Sequence, residues 1–265
     1  MKFNTLAFEK PVEGLGLIYM DRPACLNAMN LEMLDDFSRL FDEVTQDESV
    51  RVLVITGRGR GFSSGADLGD AVSHRDSEYF SDPGTFLRLV QEPYSRLIAQ
   101  VRRLPQPVIA AVNGPAAGGG FCLALACDVR IASPEAFFVA SFINLGLSGG
   151  ELGTSYLLPR LVGLSRASDI LLSGRKVSAD EAESMGLVSR VVEGDMLMEA
   201  AIECAGPMLQ KSRESLRLTR EALNLNVDAV SLEAAMDLEN RNQSILVFSR
   251  RFFSMVQGFM KKEKE

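Results

Sequence analysis

A stretch with almost no charge, residues 107–129, constrains the fold of this chain more than any other feature. Its length and composition resemble those of a helix that crosses a membrane. Asn113-Gly114-Pro115 and the run Gly118-Gly119-Gly120 interrupt it, however, and residues of these types break a helix. The stretch therefore predicts a buried strand, a turn and a buried helix, and it argues against a membrane protein.

Strand and helix patterns alternate over the first half of the chain, which predicts an α/β fold. The apolar runs at 14–20 and 50–57 are rich in β-branched residues and predict buried strands. Between them, apolar residues from Met33 to Val44 recur at helical spacing behind Asn30, a candidate N-cap. The pattern continues with a helix over 85–103, a strand at 107–114, a helix at 119–127 and a strand at 128–133.

After about residue 150 the apolar spacing is helical almost throughout, with expected breaks at Gly163, Gly174, Gly186 and Pro207. An α/β core is therefore followed by a helical C-terminal part. We predict that the core covers residues 1–200 and the helical C-terminal region residues 201–265. One segment, 69–84, is polar and irregular. It is typical either of a mobile loop over a site or of a disordered surface segment.

Composition excludes several classes of function. Hydrophobic residues make up 46% of the 265 residues, and the net charge of −7 argues against nucleic acid as a partner. The four cysteines form no CxxC pair, and the single histidine, His74, cannot complete a metal cluster, so we expect reduced thiols and no metal site. The first residues, MKFNTLAFEK, lack an apolar targeting run, so we expect a cytoplasmic protein, although an organelle matrix after processing would also fit.

Two glycine-containing segments are candidates for binding an anion. In GFSSGADLGD, Gly65 permits unusual backbone angles, and its small neighbours let a ligand approach the backbone. In NGPAAGGGFCLALACD, the glycine run opens an apolar helix whose first N–H groups are free. Each segment alone also fits an ordinary structural role, as a tight turn or as close packing of a helix against a strand.

Together, the two segments and their surroundings resemble the enoyl-CoA hydratase/isomerase, or crotonase, superfamily. The resemblance spans nearly the whole chain, in the family's order and spacing. It rests on DRPACLNAMN, VLVITGRGRGFSSGADL, PVIAAVNGPAAGGG, ACDVRIAS, LGLSGGELGTSYLLPRLVG and GLVSRVV. It implies a crotonase-like spiral of ββα units with a helical C-terminal trimerisation region, assembled as a homotrimer or homohexamer. The implied ligand is an acyl-CoA, with no cofactor beyond the CoA moiety of the substrate.

The resemblance also implies roles for individual residues. The amides of Ala66 and Gly119 would donate hydrogen bonds to the thioester oxygen, which becomes negatively charged when a neighbouring proton is removed. Lys261 and Lys262 fall where the family often places a lysine near the CoA phosphates, although this terminal segment departs from the family's pattern. The CoA channel would be lined by Cys25, Leu26, Ala28, Ser64, Asp67 and Leu68.

The acyl chain is expected to lie elsewhere in the site. Residues 69–84 and the following helix are the candidates for lining its pocket. The helix residues in question are Phe86, Leu87, Leu89 and Tyr94.

The position of the carboxylates decides which reaction we expect. Hydratases of the family use two, and the matching positions here hold Cys122 and Phe142, neither of which can replace a glutamate. Glu151 instead matches the catalytic acid of one group of 3-enoyl-CoA to 2-enoyl-CoA isomerases. One carboxylate can take a proton from C2 of the acyl chain and return it at C4, provided that water is excluded by residues such as Phe138, Phe142 and Leu147.

Four further interpretations stay open beside this isomerase. Glu151 also fits an ordinary acidic residue at the start of a helix. An enoyl-CoA hydratase (lyase) with an atypical active site is a second interpretation. An acyl-CoA dehalogenase or hydrolase would use Glu151 as a nucleophile, although His74 does not match the family's water-activating histidine. A non-catalytic acyl-CoA binder would keep the glycine segments for packing.

Overall fold

The computed structural model describes residues 2–73 and 76–262. The strands in this part of the chain are β1 (Leu6–Glu9), β2 (Leu15–Met20), β3 (Val52–Gly57), β4 (Val108–Val112), β5 (Ala116–Ala117), β6 (Val129–Ala132), β7 (Phe137–Val139), β8 (Val177–Ser178) and β9 (Arg190–Val191).

Helices connect these strands and make up the C-terminal region. They are α1 (Leu31–Gln46), α2 (Leu68–Ser73), α3 (Pro83–Phe86), α4 (Glu92–Arg103), α5 (Gly119–Ala126), α6 (Thr154–Val162), α7 (Leu164–Ser173), α8 (Ala179–Ser184), α9 (Leu197–Leu209), α10 (Arg213–Asn226), α11 (Leu232–Val247) and α12 (Arg250–Lys262). A π-helical turn, Leu87–Gln91, joins α3 to α4.

The strands form two sheets. The larger has the order β1-β2-β3-β4-β6-β9, in which β1 is antiparallel to β2 and the other neighbours are parallel. The smaller has the order β5-β7-β8, with β5 parallel to β7. The predicted α/β fold is therefore confirmed, with mixed sheets and flanking helices.

Both faces of the larger sheet are covered, which explains why its strands are apolar throughout. Leu53 and Ile55 of β3 point into a core that includes α1, α4 and α5, whereas Val52 and Val54 pack against α9. The predicted N-cap of α1 is confirmed, because the side chain of Asn30 accepts a hydrogen bond from the Met33 N–H at 3.0 Å.

The expected break at Pro207 is wrong, because this proline lies inside α9. A proline removes one helical hydrogen bond, and α9 ends two residues later at Leu209. Ala201 and Ala205 meanwhile bury one face of α9 against the sheet, and that packing outweighs the lost bond. The boundary suggested after residue 200 falls within this helix, and the division into two regions stays a prediction.

Segment 69–84 is more regular than its sequence pattern predicts. Helix α2 occupies its start, Glu78–Phe80 form a 3₁₀ turn, and the carboxylate of Asp82 caps α3 by accepting from the N–H of Gly84 at 2.9 Å. Such short helices bury little apolar surface, so they leave no periodic pattern in the sequence. His74 lies outside the described residues. Among the helices that are described, none is both long and apolar enough to cross a membrane.

Candidate active site

The structure brings the two glycine segments into contact. Ser63 pairs with Ala116 in a parallel bridge, and the N–H of Ala117 donates to the carbonyl of Ser63 at 2.9 Å. A Cβ atom on Gly65 would lie only 3.0 Å from the nitrogen of Gly119. Gly65 also has a φ of +90°, which side chains other than glycine disfavour. The close approach and the backbone angle together require glycine at this position.

The N–H of Ala66 points away from the protein's own acceptors. Met29 lies alongside: its N–H donates to the carbonyl of Gly65 at 2.7 Å, and its carbonyl accepts from the N–H of Asp67 at 2.9 Å. Successive N–H groups of an extended chain alternate in direction, so that of Ala66 faces the opposite side. Within the described residues it finds no protein acceptor.

The N–H of Gly119 is available for a different reason. Gly118, with φ +49° and ψ −120°, precedes α5 and anchors it by donating to the carbonyl of Val139 at 2.9 Å. Gly119 is the first residue of α5, where no helical carbonyl lies behind it. No other acceptor for this N–H is found in the described part of the chain. Two free amides and the positive end of a helix dipole can therefore stabilise an anionic oxygen.

The third glycine of the run serves packing. A Cβ atom on Gly120 would lie 2.3 Å from the carbonyl oxygen of Ser63, so a larger residue would push the two segments apart. A Cβ atom on Gly119 would lie 2.6 Å from the Cε atom of Met29. The packing interpretation of the glycine run is thus correct for Gly120, and it is compatible with free amides elsewhere in the same two segments.

The residues predicted for the CoA channel lie on two neighbouring segments, 22–29 and 63–68. The N–H of Ser64 donates to the carbonyl of Leu26 at 2.9 Å, and its hydroxyl donates to the carbonyl of Cys25 at 3.2 Å. These backbone groups therefore hold the two segments together. Leu68 begins α2 and is exposed.

Arg22 provides a second link between the same two segments. Its guanidinium donates to the carbonyl of Ala28 at 2.5 Å and to the carboxylate of Asp67 at 2.9 Å. The Cys25 thiol donates to the carbonyl of Arg22 at 3.4 Å. The side chain of Asp67 is therefore part of an ion pair. All six predicted residues belong to the two segments 22–29 and 63–68, which lie side by side.

The two positions that the resemblance matches to hydratase carboxylates are buried. Cys122 is fully buried; burial, helped by the neighbouring charge of Glu151, raises the pKa of its thiol well above the ordinary value. Phe142 is also buried, and a ring atom would lie 3.4 Å from a Cβ atom on Gly118. Phe138 is buried as expected, whereas Leu147 is 56% exposed in this chain and does not enclose the site.

Glu151 is half-buried and lies next to α5, the helix that begins at Gly119. Its N–H donates to the Thr154 hydroxyl at 3.0 Å, and its carbonyl accepts from the same hydroxyl at 2.8 Å. Leu152 follows with a φ of +47°, and its side chain would lie 3.7 Å from a Cβ atom on Gly119. Since α6 begins only at Thr154, Glu151 is not in the first turn of that helix, and the interpretation as a residue that opens the helix is wrong.

Gln91 is a member of this site that the sequence did not reveal. Its side-chain Nε2 donates to Oε1 of Glu151 at 2.8 Å across 60 residues of chain. The nearby Tyr94 was expected to line the acyl pocket, but its hydroxyl donates to the carbonyl of Met29 at 2.6 Å. Pro93 and the π-helical turn before α4 mark the local irregularity, and only the proline is visible in the sequence.

The remaining expectations for the site are only partly covered by the described residues. Phe86 packs on Phe80 with ring centroids 5.3 Å apart, and Leu87 is 50% exposed. The side chains of Lys261 and Lys262 lie outside the described part, at the end of α12. No cluster of three potential metal ligands is found among the residues that the structure describes.

Comparison with known proteins agrees with this geometry. The family described as enoyl-CoA hydratase/isomerase matches residues 11–265. The chain belongs to this family. An acyl-CoA substrate is consistent with that membership and with two free amides facing one site.

Among the proteins that this chain is similar to, some are named hydratases and others isomerases. The probable enoyl-CoA hydratase echA12 of Mycobacterium leprae is 48% identical over 91% of this chain and 81% of the relative. The 1,2-epoxyphenylacetyl-CoA isomerase of Escherichia coli is 34% identical over 94% and 93% of the two chains. The crystal structure of a monofunctional enoyl-CoA isomerase from M. smegmatis is 43% identical, covers 88% of this chain and 98% of that one, and has a TM-score of 0.74.

Proposed function

We propose that this enzyme isomerises 3-enoyl-CoA to 2-enoyl-CoA, with Glu151 as its single acid-base group. One observation supports the proposal above all others. Glu151 is half-buried, and the Cys122 thiol, on the helix that begins at Gly119, donates to its carbonyl at 3.8 Å, while the resemblance matches Cys122 and Phe142 to the two hydratase carboxylates. Glu151 is therefore the side chain that we assign to proton transfer.

The reaction needs one group that moves a proton between two carbons. The Glu151 carboxylate removes a proton from C2, and the electron pair moves toward the thioester oxygen and into a dienolate. The amides of Ala66 and Gly119 donate to that oxygen, which lowers the barrier by roughly 3 kcal/mol per donor. The protonated Glu151 then delivers the proton to C4, which leaves the double bond between C2 and C3 and returns the carboxylate to its starting state.

We expect the same residues to disfavour the addition of water. A hydratase must position and activate a water molecule while it protonates the neighbouring carbon, and the family uses a second carboxylate for this. Cys122 is buried and its raised pKa keeps the thiol protonated, so it cannot act as a base near neutral pH. Phe142 presents an apolar ring beside Gly118.

A one-carboxylate hydratase is the second candidate, because the relative from M. leprae is named a probable hydratase. The two reactions separate in a parallel assay of 3-enoyl-CoA and 2-enoyl-CoA. Isomerisation produces a conjugated thioester from the first substrate, whereas hydration consumes the second and produces a 3-hydroxyacyl-CoA. Faster turnover of the 2-enoyl substrate by hydration would replace our proposal with this candidate.

Replacement Glu151→Gln tests the role of the carboxylate directly. It keeps an oxygen that accepts from Gln91 but removes the basic group, so kcat for 3-enoyl-CoA should fall by a factor on the order of 10²–10⁴. Glu92→Gln is the matched control, because Glu92 is exposed and makes no contact with the site. An isomerisation rate close to wild type in the Glu151→Gln protein would contradict the proposal.

A dehalogenase, a hydrolase and a non-catalytic binder would each give a distinct result with the same protein. A covalent adduct on Glu151 after incubation with an aryl-CoA would favour a dehalogenase or hydrolase. Binding of CoA esters without turnover in all assays would favour a non-catalytic binder.

We further propose that CoA lies along segments 22–29 and 63–68 and that the enzyme assembles as a homotrimer or homohexamer. Large apolar side chains in the C-terminal region support the assembly, among them Val230, Leu232, Phe248 and Met255, all more than half exposed in the single chain. Light scattering after gel filtration should give three or six chain masses. The four free cysteines are compatible with a cytoplasmic enzyme.

A further inference from the structure

The helix that carries Gln91 has an irregular turn at the residue that contacts Glu151. The N–H of Glu92 donates to the carbonyl of Leu87, five residues earlier, which defines the π-helical turn. Pro93 follows directly; it has no N–H, and its ring would collide with the carbonyl of Leu89 in a regular α-helix. The wider turn accommodates the proline and thereby sets the direction of the side chain at 91.

The contact between Gln91 and Glu151 leaves the carboxylate able to react. Nε2 of Gln91 donates a hydrogen bond to Oε1 of Glu151 at 2.8 Å. Unlike the side chain of lysine or arginine, the amide has no positive charge that would make the carboxylate a weaker base. Oε2 accepts no hydrogen bond from the described residues. One oxygen is thus fixed and the other is available for proton transfer.

The rest of Glu151 is fixed through its backbone. The Thr154 hydroxyl contacts both the N–H and the carbonyl of Glu151. These bonds hold the main chain but leave the side-chain torsions of Glu151 undetermined. In the described part of the chain, the hydrogen bond that defines the position of the carboxylate comes from Gln91.

We propose that Gln91 is a positioning residue that holds the Glu151 carboxylate in reach of both C2 and C4. This inference rests on the proposed isomerase function. The two-point transfer makes positioning important, because the same carboxyl group must leave one carbon and reach another before its proton exchanges with solvent. A fixed Oε1 limits the positions that Oε2 can take when the carboxylate rotates.

Replacement Gln91→Met tests the proposal, because methionine has a similar length and no hydrogen-bond donor. We expect kcat for 3-enoyl-CoA to fall about 10-fold, with KM within about twofold of wild type. With substrate deuterated at C2, the fraction of label that arrives at C4 should also fall, because a loosely held carboxyl group loses its proton to solvent more often. A purely structural role would not change this fraction.

Gln100→Met is the matched control on the same helix. Nε2 of Gln100 donates to the Ser38 hydroxyl at 2.7 Å, outside the site, so its loss should affect stability and leave kcat and label transfer unchanged. In the Glu151→Gln background, Gln91→Met should cause no further loss if it acts only through Glu151. Equal thermal midpoints of the two methionine variants would exclude a folding defect specific to position 91.

The outcomes separate this inference from the proposed function. If Glu151→Gln abolishes isomerisation while Gln91→Met keeps wild-type kcat and label transfer, the positioning role is wrong and the isomerase assignment stands. A large rise in KM at unchanged kcat would also overturn the inference, because it would place Gln91 in substrate binding. If Glu151→Gln itself remains active, the proposed function is the one that fails.

Discussion

The site consists of two halves that the chain builds in different ways. The amide half, residues 63–67 and 117–120, offers backbone N–H groups and is held by hydrogen bonds between adjacent extended segments. The carboxylate half consists of Glu151 and Gln91, two side chains that meet across 60 residues of chain. The position of the amides therefore depends on backbone geometry. The position of the carboxylate depends on a contact between two segments that are far apart in the sequence.

This difference separates the stabilisation of an intermediate from the choice of reaction. In the proposed reaction the two free amides stabilise the enolate oxygen whichever proton moves next, so the amide half would define the intermediate. The side chains around it determine where protons and water go. Cys122 and Phe142, at the positions that the resemblance matches to hydratase glutamates, leave the backbone of the amide half intact and supply no carboxylate.

Among the variants that compare the two halves, the largest effect is expected from Gly65→Ala, which changes the backbone of the amide half. A Cβ atom at this position would lie 2.7 Å from the carbonyl oxygen of Ala117 and 3.0 Å from the nitrogen of Gly119, at a φ of +90°. The segments must separate, and both donors move. We expect kcat for 3-enoyl-CoA to fall roughly 1,000-fold, equivalent to about 4 kcal/mol.

Gly206→Ala is the control for adding a methyl group elsewhere. Gly206 lies inside α9, and a Cβ atom there meets no other part of the protein within 4 Å apart from its chain neighbours and the backbone of its own helix. This variant should keep full activity and change the free energy of unfolding by no more than about 1 kcal/mol, because the helix propensity of alanine is opposed by Pro207, which follows directly. If Gly65→Ala retained kcat within about tenfold of wild type, the amide half would not depend on the close contact between its two segments.

The amide half was largely predictable from the sequence, because its requirements are local. Gly65 and Gly118 reflect backbone angles, and the start of α5 follows from a glycine run before an apolar helix. The main strands were predictable for a similar reason, since parallel strands buried on both faces are continuously apolar. Strands β5, β7 and β8 have only two or three residues and carry no periodic pattern, so the second sheet was missed.

The carboxylate half was predictable only in part. The position of Glu151 followed from the resemblance to the family, but its partner did not. Nothing local to Gln91 indicates a contact 60 residues away, and a π-helical turn has no reliable sequence pattern. The regular structure in segment 69–84 was missed for a related reason, because a short exposed helix such as α3 depends on its cap, the carboxylate of Asp82, rather than on apolar spacing.

A second prediction concerns the support of the carboxylate half through α4. Arg220 of α10 is buried and donates to the carbonyls of Val101 at 2.8 Å and Arg102 at 2.9 Å, at the C-terminal end of α4, and to the carboxylate of Asp128 at 2.7 Å. Arg220→Met removes these hydrogen bonds, although Asp128 still accepts from the N–H of Val108 and the Arg102 carbonyl from Asn224. The free energy of unfolding should fall by about 3 kcal/mol in urea denaturation.

Arg217 on the same helix provides the contrast. It is half exposed and its nearest carboxylate oxygen, on Glu221, is 3.7 Å away, so Arg217→Met should cost less than about 1 kcal/mol. Similar losses in the two variants would mean that the burial of Arg220 and its contacts to α4 add nothing to the free energy of unfolding. A loss confined to Arg220→Met would identify α10 as the element that anchors α4.

The smallest effect is expected from Tyr94→Phe, which tests whether the two halves are connected. Tyr94 lies three residues after Gln91, on the same helical face, and its hydroxyl donates to the carbonyl of Met29, which also accepts from the N–H of Asp67. Removing the hydroxyl leaves the Met29 carbonyl one hydrogen bond to the amide half. We expect kcat to fall about fivefold, equivalent to about 1 kcal/mol.

Label transfer from C2 to C4 distinguishes the two contacts that this helix makes. Tyr94→Phe should lower kcat and leave the transferred fraction unchanged, because the carboxylate keeps its bond to Gln91. Tyr19→Phe is the control. Tyr19 lies in β2, and its ring packs under the guanidinium of Arg58, away from the site. If Tyr94→Phe instead reduced label transfer as strongly as Gln91→Met, the helix would act on both halves as one rigid unit, and the separation between them would no longer hold.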